Sequence, residues 1–265
     1  MPIASARIAV NGYPRVDSGG NIENDHPCQE CTLRNSGAFA QNSKEEIAFI
    51  QQFKTRSLAI AAGASIIAEG ARSEDLYTIY SGWAFRFKTL TDGRRQILNF
   101  LLPGDFVGLK EKMADVSPHG VEAITAVALC RFHASGLWEL YKNHPALAYE
   151  VTWITANQKS VVDENLLSVG RRNAMESVAT LLMQIYNRLK ALGHARGATI
   201  DFPLSQQHIA DALGLSLVHT NKTLRRLTQM GFHRISNGEL TVQNPSALQK
   251  LADYFTAEER KRPLI

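Results

Sequence analysis

Four side chains within five residues, Val218, His219, Asn221 and Lys222, carry groups that can meet the edge of a base pair. An asparagine amide can donate to and accept from one adenine. A histidine or lysine can reach the N7 and O6 acceptors of guanine, and a valine methyl can touch the thymine methyl. Arg225 and Arg226 follow and suit phosphate oxygens, which attract cations without reporting sequence. Lys222 stays open to that phosphate role as well. The chemistry works only if these residues share one exposed face of a rigid element.

The segment from Leu204 to Leu227 supplies such an element. Ser205 can cap a first short helix, because its hydroxyl can accept an orphan backbone N–H. Ala210 is small where two helices approach. Gly214 falls where the first helix must stop in a left-handed conformation, which glycine adopts at little cost. Ser216 can cap the second helix. Leu217, Thr220, Leu224 and Leu227 follow three- and four-residue spacing and read as its inward stripe. A polar helix braced by a partner is how a helix-turn-helix enters the major groove, and Ser205 and Ser216 count among its expected DNA-binding residues. The competing reading is an αα-hairpin with a solvated polar face.

The 265 residues allow one large domain or two modest ones. No apolar run is long enough for a transmembrane helix, and the N-terminus lacks a signal-peptide pattern. Three cysteines are too few for a disulfide scaffold, so a cytoplasmic protein without a membrane partner is expected. The charge of +4 is uneven: residues 171–230 hold eight Lys/Arg against three acids. A basic segment on a near-neutral remainder suits a polyanion-binding module joined to something else.

Residues 1–25 are rich in Gly, Asn, Ser and Pro and read as a flexible arm. Ser43-Lys-Glu-Glu46 predicts a capping box and a short helix through Gln52. From about Ser57 to His133, short β-type runs alternate with glycines: 65–68, 76–80, 84–89, 96–101 and 123–132. Asp92-Gly93 predicts a hairpin turn. The block reads as an antiparallel roll. Helical periodicity then returns, and Pro145 opens a helix to 169, about 37 Å long at about 1.5 Å per residue. Leu147, Val151, Ile154, Val161 or Val162, Leu166 and Val169 line one face, with Gln158 and Asn165 interrupting it to set register. That stripe is expected to be covered by the same helix of a second subunit. Gly170 reads as the hinge, 171–192 as another helix, 199–203 as a strand, and 232–242 as a two-stranded wing turning at Asn237-Gly238.

This order, with Ser81-Gly82-Trp83, Asp92-Gly93-Arg-Arg-Gln96, Leu102-Pro-Gly-Asp-Phe-Val-Gly108, Ala212-Leu-Gly-Leu-Ser216 and Val218-His-Thr-Asn-Lys222, resembles the Crp/Fnr superfamily of bacterial transcription regulators over roughly 28–255. The resemblance implies an α+β fold. A roll sensor with its N-terminal cysteine segment would span 26–143, and a dimerisation helix 144–170. A winged helix-turn-helix would span 171–255, and 256–265 would be a tail. It implies a homodimer on a palindromic stretch of double-stranded DNA and, for an activator, contact with RNA polymerase. What is sensed, and whether genes are raised or lowered, is not written in these motifs.

Departures from the best-known branches matter. The catabolite-activator branch holds cyclic AMP with a Gly-Glu pair and a later Arg-Ser. The stretch 104–120 has neither, and Lys110 and Lys112 are flanked by Glu111 and Asp115, so cAMP is not expected. The oxygen-sensing branch ligates a [4Fe–4S] cluster with three N-terminal cysteines and one from the roll. Here Cys28, Cys31 and Cys130 match, but no cysteine stands near Gly37. Three readings stay open: a cluster or other metal completed by a foreign ligand such as His26 or Glu30, thiol–disulfide redox sensing, or no role for the thiols. The recognition segment is similar to a Val-His-x-Asn-Lys/Arg subgroup, so a DNA target unlike either familiar consensus is expected. The remaining alternatives are a regulator of this fold with an unknown small-molecule effector or with none, and a cupin-like metal enzyme. A cupin needs a His-x-His pair, whereas the roll has only His119 and His133, so no catalysis is expected.

Overall fold

Ser43 opens the first helix as the capping box predicts: its hydroxyl accepts from the Glu46 N–H, and the Glu46 carboxylate accepts from the Ser43 N–H. That helix, α1 (Lys44–Phe53), runs directly into β1 (Lys54–Ile60). The computed structural model describes residues 27–109, 116–254 and 261–265. The arm 1–25, His26, the 110–115 lysine-bearing segment and tail residues 256–260 lie outside them.

The roll follows with β2 (Ser65–Ile67), β3 (Asp75–Ser81), β4 (Ala84–Thr89), β5 (Arg95–Leu101), β6 (Phe106–Val107), β7 (Gly120–Ala123) and β8 (Val127–His133). They form two antiparallel sheets ordered β1-β8-β3-β6 and β2-β7-β4-β5. Ile79, Leu101, Val121 and Leu129 are fully buried in one apolar cluster that draws on strands of both sheets. Two local expectations need correction. The run 123–132 is two strands, broken at Ile124–Ala126, where the Ile124 and Thr125 N–H groups both donate to the Trp83 carbonyl (2.7 and 3.3 Å). The Asp92-Gly93 connection is also longer than a two-residue turn. Thr89 and Arg95 are the last pair, and Gly93 takes φ +85° inside the loop they close.

After α2 (Leu137–Asn143) comes α3 (Pro145–Gly170), a single 26-residue helix with proline in its first turn. The first half of the stripe assigned to a second subunit is used within the chain instead, whereas Leu166 at its far end is 69% exposed. Leu147, Val151 and Ile154 are buried in a cluster with Leu76, Phe106 and Phe132 of the roll. Gln158 donates to the Phe106 carbonyl (2.5 Å) and accepts from Arg86 (3.1 Å), and Asn165 donates to the Leu98 carbonyl (2.7 Å). Val161 and Val162 are half-buried, and Val169 is exposed. An apolar period states that a face is covered, not which surface covers it. Tyr149 and Leu167, half a helical turn away, are 59% and 44% exposed.

Gly170 is the last helical residue rather than a break. The chain turns through Arg171–Asn173, and Asn173 caps α4 (Ala174–Ala191) in a second capping box with Glu176. Then follow β9 (Ala195–Arg196), β10 (Thr199–Asp201), α5 (Gln206–Leu213), α6 (Leu217–Gln229), β11 (His233–Ser236), β12 (Glu239–Val242) and α7 (Pro245–Ala252), with sheet order β11-β12-β10-β9. The wing turn is the expected two-residue one: Ser236 pairs with Glu239, and Asn237 and Gly238 both have positive φ. One apolar core crosses the boundary between the halves, joining Trp83, Phe85, Ile97 and Phe100 of the roll to Leu181, Ile185, Phe202 and Leu213. The last residues return to the roll. Arg262 forms a parallel bridge with Phe39, the Thr78 hydroxyl donates to the Ile265 carbonyl (2.7 Å), and Leu264 and Ile265 are buried.

Candidate nucleic-acid interface

Local chemistry shapes α5 and α6 much as the residue types dictate. Ser205 Oγ accepts from the His208 N–H, and Ser216 Oγ accepts from the His219 N–H. Gly214 ends α5 at φ +65°. Ala210 is buried. Thr220, Leu224 and Leu227 face inward as expected, joined by Thr223, which the spacing argument missed. Leu217 does not join them. It is 42% exposed at the first position of α6.

The outward face is then Val218, 79% exposed, with His219, Lys222, Arg225 and Arg226 all exposed. Among the described residues these three cations make no ion pair. Asn221 is set back: it is half-buried, and its Oδ1 is sealed from solvent without a hydrogen-bond partner. Contact with a base therefore requires its amide to turn outward. Ser205, Gln206 and Gln207 are exposed at the start of α5, and Arg234 is exposed on the wing strand β11. Gln206, Gln207 and Arg234 are exposed polar groups at a helix start and on a wing strand that the motif spacing does not single out. Arg196, by contrast, is held by Asp201 and Glu239, both at 2.8 Å. Below the wing, His233 is buried with Nε2 3.5 Å from Thr228 Oγ1, and burial pushes its imidazole down to about 4.

The interface is mounted on the roll by polar and aromatic contacts. Gln96 Nε2 donates to the Ala212 carbonyl (3.0 Å), and the rings of Phe85 and His208 lie 5.5 Å apart. Burial lowers the His208 pKa, with Asp211 opposing. Asp105, after β5, accepts from Arg188 of α4 (2.6 Å) and from Arg262 of the tail (2.5 Å). Burial alone would raise its pKa, but the two guanidinium groups outweigh that and hold it at about 2.

The thiols are divided. Cys28, in the turn Cys28–Glu30, is buried in the cluster of Ile50, Phe53 and Phe132, and its backbone N–H donates to Gln51 Oε1 (2.6 Å). Cys130, half-buried on β8, packs at that cluster's edge. Cys31 packs against the other core. None is in a disulfide, and among the described residues no three His, Cys, Asp or Glu side chains converge as metal ligands. Gly37 has φ +76° and offers no fourth thiol. These residues do not fit a [4Fe–4S] cluster.

Comparison with known proteins agrees with the geometry. Residues 58–144 match the family model of the cyclic nucleotide-binding domain, and residues 176–251 match that of the Crp-like helix-turn-helix domain. The chain is 30% identical over 209 residues to the transcriptional activator protein FnrL of Cereibacter sphaeroides, spanning 78% of this chain and 83% of that protein. The chain belongs to the Crp/Fnr family of transcription regulators. This family member is also 29% identical to the nitrogen fixation regulation protein FixK of Bradyrhizobium diazoefficiens, covering 86% of this chain and 95% of that one. The solved structure of FixK2 from Bradyrhizobium japonicum superposes with a TM-score of 0.68 at 29% identity, over 76% of this chain and 98% of that one. The protein is a DNA-binding transcription regulator, and its relatives are regulators rather than enzymes, which removes the cupin reading. Among the described residues no helix is long and apolar enough to cross a membrane.

Proposed function

We propose that the protein regulates transcription as a homodimer, with the α6 helices of two copies entering successive major grooves of a palindromic site. The observation that carries this is the division of α6: Thr220, Leu224 and Leu227 are buried, while Val218, His219 and Lys222 stand clear of the chain's own surface. In this reading Val218 meets a thymine methyl, His219 and Lys222 meet guanine, and Asn221 meets adenine after its amide turns. Arg225, Arg226, Ser205 and Ser216 lie along phosphates. Activation, the role named for FnrL, adds RNA polymerase as a partner. The dimer face moves from the buried stripe to the opposite side of α3, where Tyr149, Ala156, Asp163 and Leu167 recur at helical spacing and are exposed.

The deciding experiment is a gel-shift selection of preferred sites by wild type, Lys222→Ala and Asn221→Ala. Altered base preference in the variants supports the assignment, and unchanged affinity with unchanged preference removes it.

An oxygen-linked signal is supported by a relative named as an anaerobic regulatory protein in Pasteurella multocida. We assign that signal to the thiols of Cys28, Cys31 and Cys130 themselves. Anaerobic purification with an iron assay, and gel shifts on Cys31→Ser before and after oxidation, test it. A bound iron or an oxidation-insensitive wild type counts against it.

A further inference from the structure

Among the described residues three helices open on a capping box, and the third departs from the other two in one residue. In α1 and α4 the third helical residue is a glutamate, Glu46 or Glu176, whose carboxylate accepts the backbone N–H of the cap. In α5, the first helix of the DNA-reading motif, that place is held by His208, and its Nδ1 accepts from the Ser205 N–H (3.2 Å). A free glutamate keeps its charge down to about pH 4, whereas a free imidazole takes a proton near 6.5. The bond needs the neutral ring with its proton on Nε2, because a protonated ring has only donors.

The surroundings of the ring oppose a charge as well. It is half-buried, with its centroid 5.5 Å from that of Phe85 on β4. It stands in the first turn of α5, where the helix dipole disfavours a cation. The charged groups that face it are Asp211 on its own helix, and Arg95 of β5 and Glu122 of β7 on the roll. Arg95 and Glu122 are paired with each other (2.7 Å), and the Arg95 guanidinium lies 5.4 and 5.0 Å from the Phe85 and Phe87 ring centres. Asp211 already accepts from Gln207 (2.6 Å). Burial is the largest influence and holds the imidazole below its ordinary 6.5, with Asp211 opposing.

We propose that His208 is a proton-sensitive latch between the DNA-reading motif and the roll. Neutral, it accepts the Ser205 N–H and lies against Phe85. Protonated, it has no acceptor for that N–H, and its charge is better solvated away from Phe85, so the first turn of α5 comes loose from the roll. His208 is a positioning residue that acts through Ser205 and α5. The regulatory consequence is weaker DNA binding in mild acid, because α5 braces α6. That consequence rests on the proposed DNA-binding function, whereas the latch itself does not.

The test is an NMR titration of the full chain from about pH 7.5 to about pH 5, spanning the ordinary imidazole range. His208→Gln identifies the ring signal and supplies an acceptor that does not titrate, since glutamine also closes a capping box. The expected result is a ring midpoint below 6.5, with the Ser205 amide signal moving at the same midpoint in wild type and not in His208→Gln. Hydrogen-exchange protection of the Ser205–Ile209 amides is expected to fall several-fold over that interval in wild type alone. His208→Glu restores the box of α1 and α4 and stands in if the glutamine variant does not fold. The proposal is overturned by a ring midpoint at or above 6.5, by a Ser205 amide that does not follow the ring, or by protection that falls equally in the variants. Gel shifts on the same samples read the consequence: wild-type affinity should drop several-fold relative to His208→Gln over the same interval, a comparison that cancels the histidines both proteins share. A working latch without that relative drop overturns the coupling to DNA, and no DNA binding at any pH overturns the DNA-binding reading while the latch stands.

Discussion

Arg188 and Asp105 are ion-paired across the boundary between the two halves, Nη2 to Oδ2 at 2.6 Å, with the carboxylate 4% exposed. The same guanidinium donates to the Phe100 carbonyl (3.2 Å), so α4 is fastened to the end of β5 by a charge and a backbone contact together. Breaking one side of a buried pair leaves the other charge uncompensated, at a cost of about 3–5 kcal/mol. Asp105→Asn is therefore expected to destabilise the chain by that amount in urea unfolding. The pair also sets a pH window. The folded pKa of about 2 lies below the ordinary 3.8, so its stabilisation is complete above pH 3.8 and is lost as pH falls toward 2. The loss is about 2 kcal/mol at about 1.4 kcal/mol per unit.

His233 has its own window at higher pH. Its neutral form is the one the fold accepts, since burial holds its pKa at about 4 against the ordinary 6.5. Stability is expected to be flat above pH 6.5 and to fall by about 3 kcal/mol as pH drops to 4. His233→Gln should reduce that slope in pH-dependent urea unfolding, leaving the part due to His208 and the Asp105 loss below pH 3.8.

Two cations on α6 are expected to behave differently. Lys222→Ala should flatten preference at one base pair, a loss of about 1–3 kcal/mol for the cognate site. Arg226→Ala should lower the slope of log affinity against log salt by about one and leave base preference intact. Binding isotherms across a salt series, on cognate and singly substituted sites, separate the two.

The two sides of α3 are distinguishable in solution. Leu167→Glu is expected to convert the dimer to monomer by sedimentation, because that side chain is 44% exposed on the face proposed for the partner. Leu147→Ala should cost about 2–5 kcal/mol of stability through the cavity it leaves, without changing the association state.

The winged helix-turn-helix was almost fully legible in the sequence because its signals are local. Two serine caps, the left-handed Gly214 and the Asn237-Gly238 turn each act within a few residues. The roll's strands were legible as runs, but their order was not, since β1 pairs with β8 some seventy residues away. Spacing placed Leu217 inward and missed Thr223, because period alone does not say how much of a face is covered. Of the α3 stripe, Leu147, Val151 and Ile154 are covered by the roll rather than by a second subunit, while Leu166 and Val169 are exposed. The Arg188–Asp105 pair and the return of the tail to Phe39 join distant segments by single side chains or one bridge, and neither leaves a pattern along the chain.

The bridge between Phe39 and Arg262 has a consequence during synthesis. Phe39 is fully buried, its ring is packed against Gly104, and its neighbour Ala40 donates to the Arg262 carbonyl (2.8 Å). Contacts that close so large a loop form late. The roll's first segment thus completes this packing only once residues beyond α7 have been made. Until then the half of the molecule made first stays open on that side, and a nascent chain stalled after α7 would display an unfinished sensor beside a completed DNA-reading head.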